Sequence, residues 1–249
     1  MLVRPALTRF GWAARVDESD MERQRRSLVV GLASRFLRHD PAVLGEARAR
    51  FEAWLHAPEA AEALPDDLKG SVFRLVLANA KGSVEHRQLL RLAQRPATAQ
   101  AVRLSIYGSL GAVQDPALRL QTLGLALRRR GGVRLQDVMY PVMGVAFADA
   151  AGANLAWKWF SQRHKDLRKR LEGANVRLFG SVIDISAGGV LESSHAEAVE
   201  AFFAQHPAVG LERSIAQAVE AIRTEARFVA RLEEQSDGLA AAVALLEAS

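Results

Sequence analysis

Six histidines, His39, His56, His86, His164, His195 and His206, are the groups on this chain best suited to hold a metal or move a proton near neutral pH. A helical zinc-protease centre needs two of them one turn apart with a glutamate directly after the first, the H-E-x-x-H pattern. No histidine here precedes a glutamate, and the closest pair, His195 and His206, lies about three helical turns apart. The six therefore read as surface or capping residues. The chain has no cysteine, so thiolate ligands and disulfides are absent. No G-x-S-x-G elbow is present; Gly108-Ser109-Leu110-Gly111 falls one residue short and sits in a helical segment. Neither a P-loop nor G-x-G-x-x-G occurs. Catalysis by this chain alone is not expected, and no metal or catalytic residue is assigned to it.

Polar groups that could hold a ligand are more suggestive. Arg103 and Tyr107 share one first-helix segment; Gln136, Asp137 and Tyr140 share another. First helices of a solenoid can line its inner face, which makes these segments candidates to face a ligand; the competing reading makes Asp137 a helix cap and the tyrosines half-buried. Three basic runs, Arg23-Arg25-Arg26, Arg128-Arg129-Arg130 and Lys165-Arg168-Lys169-Arg170, could meet an acidic partner. They read more simply as solvated helix ends, the last two at helix C-termini where cations complement the dipole. Aromatic residues do not interleave with them, so no nucleic-acid role is expected.

The elements that must position these groups are helices. Similar units begin near Ser27, Asp66, Ala99, Leu135, Ala174 and Leu211, a spacing of roughly 37 residues that suits two-helix repeats. Residues 28–37 (LVVGLASRFL) are apolar on nearly all sides, which predicts a helix buried between neighbours. Asp40-Pro41-Ala42 and Asp115-Pro116-Ala117 repeat one turn chemistry, an aspartate cap followed by proline in the first helical turn. The helix after the second of these carries Leu118, Leu120, Leu123 and Leu127 and is predicted to end at Gly131-Gly132. Ile215, Val219, Ile222, Ala226 and Val229 form the cleanest apolar stripe. Only VRLFG at Val176 hints at a strand, and its context is helical. The expectation is an all-α, right-handed solenoid of antiparallel helix pairs forming a single domain over 1–249: a lead-in helix over 1–16, repeats over about 20–234, and a short capping helix over 238–249. Trp12, Trp54, Trp157 and Trp159 are expected to pack, not to bind ligand.

The formal net charge of +5 is weak evidence for polyanion binding. The apolar stretches are far shorter than the ~20 residues a bilayer span needs, and the N-terminal residues lack a secretory core. A cytoplasmic protein without membrane contact is expected.

Taken in order, RPALTRFGW, LASRFLRHDPAVLGEARARFEAWL, DDLKGSVFRLVLANA, SLGAVQDPAL, LQDVMYPVMGV with LAWKWF, and the ending VEAFFAQHP with IAQAVEAIRTEARFV resemble the C-terminal helical domain of M1-type zinc aminopeptidases, the group of puromycin-sensitive and endoplasmic-reticulum trimming aminopeptidases. The resemblance runs from about Leu2 to Leu232. It implies a HEAT-like solenoid folded over a thermolysin-like catalytic domain, the two enclosing a chamber in which peptides are trimmed. In that family the zinc ligands, the catalytic glutamate and the G-A-M-E-N motif lie on the catalytic domain, and this sequence has none of them. Zinc is thus expected on that partner, supplied in cis or in trans. The expected role is accessory: covering the chamber and accommodating peptide, with Arg103, Tyr107, Gln136, Asp137 and Tyr140 as the peptide-facing candidates and an arginine able to pair with a peptide carboxylate through two parallel hydrogen bonds. The alternative is a stand-alone helical scaffold for protein interaction.

Overall fold

The computed structural model describes residues 3–58 and 63–248, and among them every regular element is a helix. Met1, Leu2 and Ser249, at the ends of the expected lead-in and tail helices, lie outside the described residues. The chain divides into two compact units, Met1–Arg119 and Leu120–Ser249.

The first unit contains α1 (Val3–Phe10), α2 (Asp20–Phe36), α3 (Pro41–His56), α4 (Asp66–Ala78), α5 (Val84–Gln94), α6 (Gln100–Tyr107) and the 3-10 turn Leu110–Ala112, and it takes in the start of α7 (Pro116–Gly124). The lead-in helix is shorter than predicted. Gly11 adopts a left-handed φ of 68° and its N–H closes on the Leu7 carbonyl, which ends α1. Ser19 then caps α2 through a capping box with Glu22. The two Asp-Pro-Ala turns do the same work: Asp40 Oδ1 accepts from the N–H of Ala42 and Val43, and Asp115 Oδ1 from that of Ala117.

Helix α4 is the centre of this unit, packing on α2, α3 and α6. That placement explains its composition. Leu68, Val72, Phe73, Leu75, Val76 and Leu77 take up more than half of the circumference of α4 and all are fully buried. Trp54 and Phe51 of α3 close over Phe73, with the Trp54 and Phe73 rings 4.9 Å apart. Helix α2 departs from the sequence reading. Val29, Val30 and Ala33 are buried, yet Leu28 (63% exposed), Leu32 (38%) and Phe36 (59%) form an i, i+4, i+8 stripe that no described residue covers. Its apolar face is wider than the neighbours α1 and α4 can cover.

The second unit contains the rest of α7, the 3-10 turn Leu135–Asp137, α8 (Met139–Ala146), α9 (Ala150–Arg170), α10 (Val176–Gly188), α11 (Ser193–Gln205), α12 (Glu212–Glu234) and α13 (Ser236–Ala248). Helix α7 stops at Gly124, short of the predicted Gly131-Gly132. The chain tightens there into i→i+3 bonds, Leu125 to Thr122 and Ala126 to Leu123, which turn Leu125 and Ala126 into the core. The run Arg128–Arg130 consequently lies in an exposed loop, not at a helix C-terminus. Helix α10 is central, touching α8, α9 and α12. VRLFG opens α10, so the strand hint was false; Asn175 caps it by accepting the Arg177 N–H.

Two glycines set the spacing of α8, α9 and the loop after α10. A Cβ on Gly152 would lie 2.3 Å from the Val145 carbonyl oxygen, and one on Gly189 would lie 2.7 Å from that of Ala146. Only glycine permits these approaches. The tail helix begins at Ser236 and packs on α12, but its described side chains are exposed, so it caps little. Within each unit, alternate helices stack on one another: α2 on α4 on α6, and α8 on α10 on α12.

Candidate functional site

The buried charges come first because they are costly unless paired. Arg26, read from the sequence as part of a solvated basic run, is 1% exposed and bound to Glu18, with Nε–Oε1 at 2.8 Å, and more loosely to Asp67 at 3.4 Å. The hydrogen bond from Arg26 holds the Glu18 carboxyl below the ordinary glutamate range, and the same bond raises the Arg26 guanidinium. The pair fastens the loop before α2 to the start of α4.

The histidines divide differently from the surface-or-cap reading. His86 is fully buried on α5, and burial lowers its pKa to about 4. His195 is buried on α11, its Nε2 bonded to the Ala187 carbonyl at 3.0 Å and its ring edge-on to Trp157; burial lowers it too. His164 and His206 meet across α9 and the end of α11, ring centroids 4.5 Å apart. Among the described residues no group of three or more histidine, aspartate or glutamate side chains gathers to hold a metal ion.

The five peptide-facing candidates fall in both units. In the first, Arg103 and Tyr107 lie one turn apart on α6. The Arg103 Nη2 donates to the carbonyls of Arg95 and Pro96 at 2.6 and 2.8 Å, so this guanidinium fastens the α5–α6 connection. Tyr107 is buried. In the second unit, Asp137 is buried beneath Arg134, whose Nε reaches its Oδ2 at 2.9 Å, while Gln136 is exposed and Tyr140 half-buried. Gln136 and Tyr140 thus keep side-chain surface open, while Arg103 holds a turn of the first unit and Asp137 pairs with Arg134 in the second.

Sequence reasoning missed a cleft of about 510 Å³ between α3 and α5. Arg48, Glu85, Arg91 and Arg95 line it, with Arg48 Nη1 3.6 Å from Glu85 and its Nη2 on the Asn79 carbonyl. The signal was the polar flank of two helices whose apolar stripes alone drew notice.

Comparison with known proteins gives the family. Residues 1–224 match the family model of the ERAP1-like C-terminal domain, and the chain belongs to that family. Aminopeptidase M1 of Arabidopsis thaliana is 28% identical over 247 residues, 98% of this chain but 27% of its own length. The alanine/arginine aminopeptidase of Saccharomyces cerevisiae is 24% identical over 233 residues, 94% of this chain and 26% of its own. The mitochondrial aminopeptidase 2 of the same yeast is 28% identical over 170 residues, 68% and 17% respectively. The chain spans about a quarter or less of the curated relatives it matches. It is a C-terminal domain of the M1 aminopeptidase family. No helix among the described residues is long and apolar enough to cross a membrane.

Proposed function

We propose that this chain serves as the accessory wall of an M1-type aminopeptidase, its helix pairs stacked as a HEAT-like solenoid that covers the active-site chamber and helps accommodate peptide. The family match over residues 1–224 carries this reading. The alternate-helix stacking within each unit supports the solenoid. The uncovered stripe of Leu28, Leu32 and Phe36 on α2 supports a further element packed there, because terminal repeats that face water carry polar outer surfaces. Zinc and the catalytic glutamate belong to the catalytic domain, joined in cis or bound in trans. Arg103, Tyr107, Gln136, Asp137 and Tyr140 are the candidates to face peptide; Gln136 and Tyr140 keep side-chain surface open for it. The setting is cytoplasmic, which a chain free of cysteine suits.

The test mixes this chain with a separately expressed M1 catalytic half. A stable complex and a changed preference for peptide length are expected. No complex and an unchanged length profile would leave the stand-alone interaction scaffold as the better reading.

A further inference from the structure

At the C-terminal end of α9 a groove of about 490 Å³ opens between the last turns of that helix, the start of α10 and the turn before α12. One wall presents Lys165, Arg168 and Lys169. None of the three has a carboxylate within salt-bridge distance among the described residues; Arg163 alone takes Asp166. Arg168 is pre-positioned, its Nη1 donating to the Pro207 carbonyl at 3.3 Å. Glu172 is the single acid on the lining. The lining is also apolar, with Val176 half exposed and Val209 75% exposed. Cations at a helix C-terminus are ordinary, since they complement the dipole. Unpaired cations sharing one groove with two open valines form a composite surface, which asks for a ligand that is acidic and apolar together.

We propose that this groove docks an extended polypeptide segment in which one apolar side chain is flanked by aspartate or glutamate. The apolar residue lies against Val176 and Val209; the flanking carboxylates meet Lys165, Arg168 and Lys169. The Arg168 guanidinium, already held by Pro207, loses less freedom on pairing than a free side chain would. Single-stranded nucleic acid fits less well, because successive bases stack on several aromatics and the lining offers one, the half-buried Phe179. The lining shares no residue with those given to peptide accommodation above, and the site does not depend on a catalytic partner.

The test is fluorescence anisotropy of the full 249-residue chain with a labelled, acetylated Glu-Asp-Leu-Asp-Glu peptide. Tightening of about tenfold over the same peptide with central serine is expected, together with weakening as salt rises. Val209→Asp, an exposed position that leaves the core intact, should weaken binding about tenfold or more, as should Lys165→Glu with Lys169→Glu. Reversing Arg128 and Arg129, charges of the same sign in a loop outside the groove, should change it less than about twofold; circular dichroism confirms that each variant is folded. Equal binding of the leucine and serine peptides, indifference to Val209→Asp, no binding, or tighter binding of oligodeoxythymidylate would each overturn the proposal.

Discussion

Acidification should destabilise the first unit through His86. The ring is fully buried on α5 and its pKa is lowered to about 4, mainly by burial, with the Asp115 charge opposing the shift. An unfolded histidine takes up its proton near 6.5. Between those values the unfolded chain binds a proton that the folded chain refuses, so stability falls as pH drops below about 6.5 and levels off once it passes about 4. The loss is about 1.4 kcal/mol at pH 5.5 and roughly 2.5 kcal/mol at pH 4.5, with a ceiling of about 3 kcal/mol. Urea unfolding of the parent and of His86→Gln at pH 7.5, 5.5 and 4.5 isolates this contribution, because other acid-sensitive groups cancel in the difference. The parent should lose its advantage, or fall further behind the variant, by those amounts as pH drops. A parent-minus-variant difference that does not move with pH, or a His86 ring that titrates near 6.5 by NMR, would refute the reasoning.

Other perturbations test the packing. Trp54→Ala removes the largest fully buried side chain, from the cluster with Phe51 and Phe73, and should cost about 3–5 kcal/mol in chemical unfolding. Arg26→Met strands the Glu18 carboxylate and should cost about 3 kcal/mol or more, whereas adding Glu18→Leu should recover much of that loss in a double-mutant cycle. Gly152→Val drives a Cβ into the Val145 carbonyl and should lower the melting temperature or give insoluble protein, while Gly188→Ala, where a Cβ meets nothing within 4 Å, should be tolerated.

Local chemistry was legible wherever one segment contained all the needed information. The Asp40 and Asp115 caps and the stripe of Val219, Ile222 and Ala226 follow from residues within a few turns of one another, and each stands where the spacing predicts. The length of α7 was not legible in the same way. Its leucines continue the helical period past Gly124, but burial of Leu125 and Ala126 in the tightened turn outweighs the lost helical hydrogen bonds. Arg26 was misread for a related reason: its close partner Glu18 lies in the loop before α2 and its looser partner Asp67 is 41 residues away, and no helical periodicity reports either meeting. His86 and His195 look like any histidines until the neighbours that bury them are known.

The sequence alone therefore determined the helical class, the caps and the family, because caps, periodicity and an ordered series of motifs are properties of contiguous chain. Tertiary structure alone decided which charges are paired, which histidines are dry, which face of α2 stays open and where cations and valines share a groove. Those outcomes depend on residues far apart in the chain sharing one low-dielectric space, and only packing brings them there.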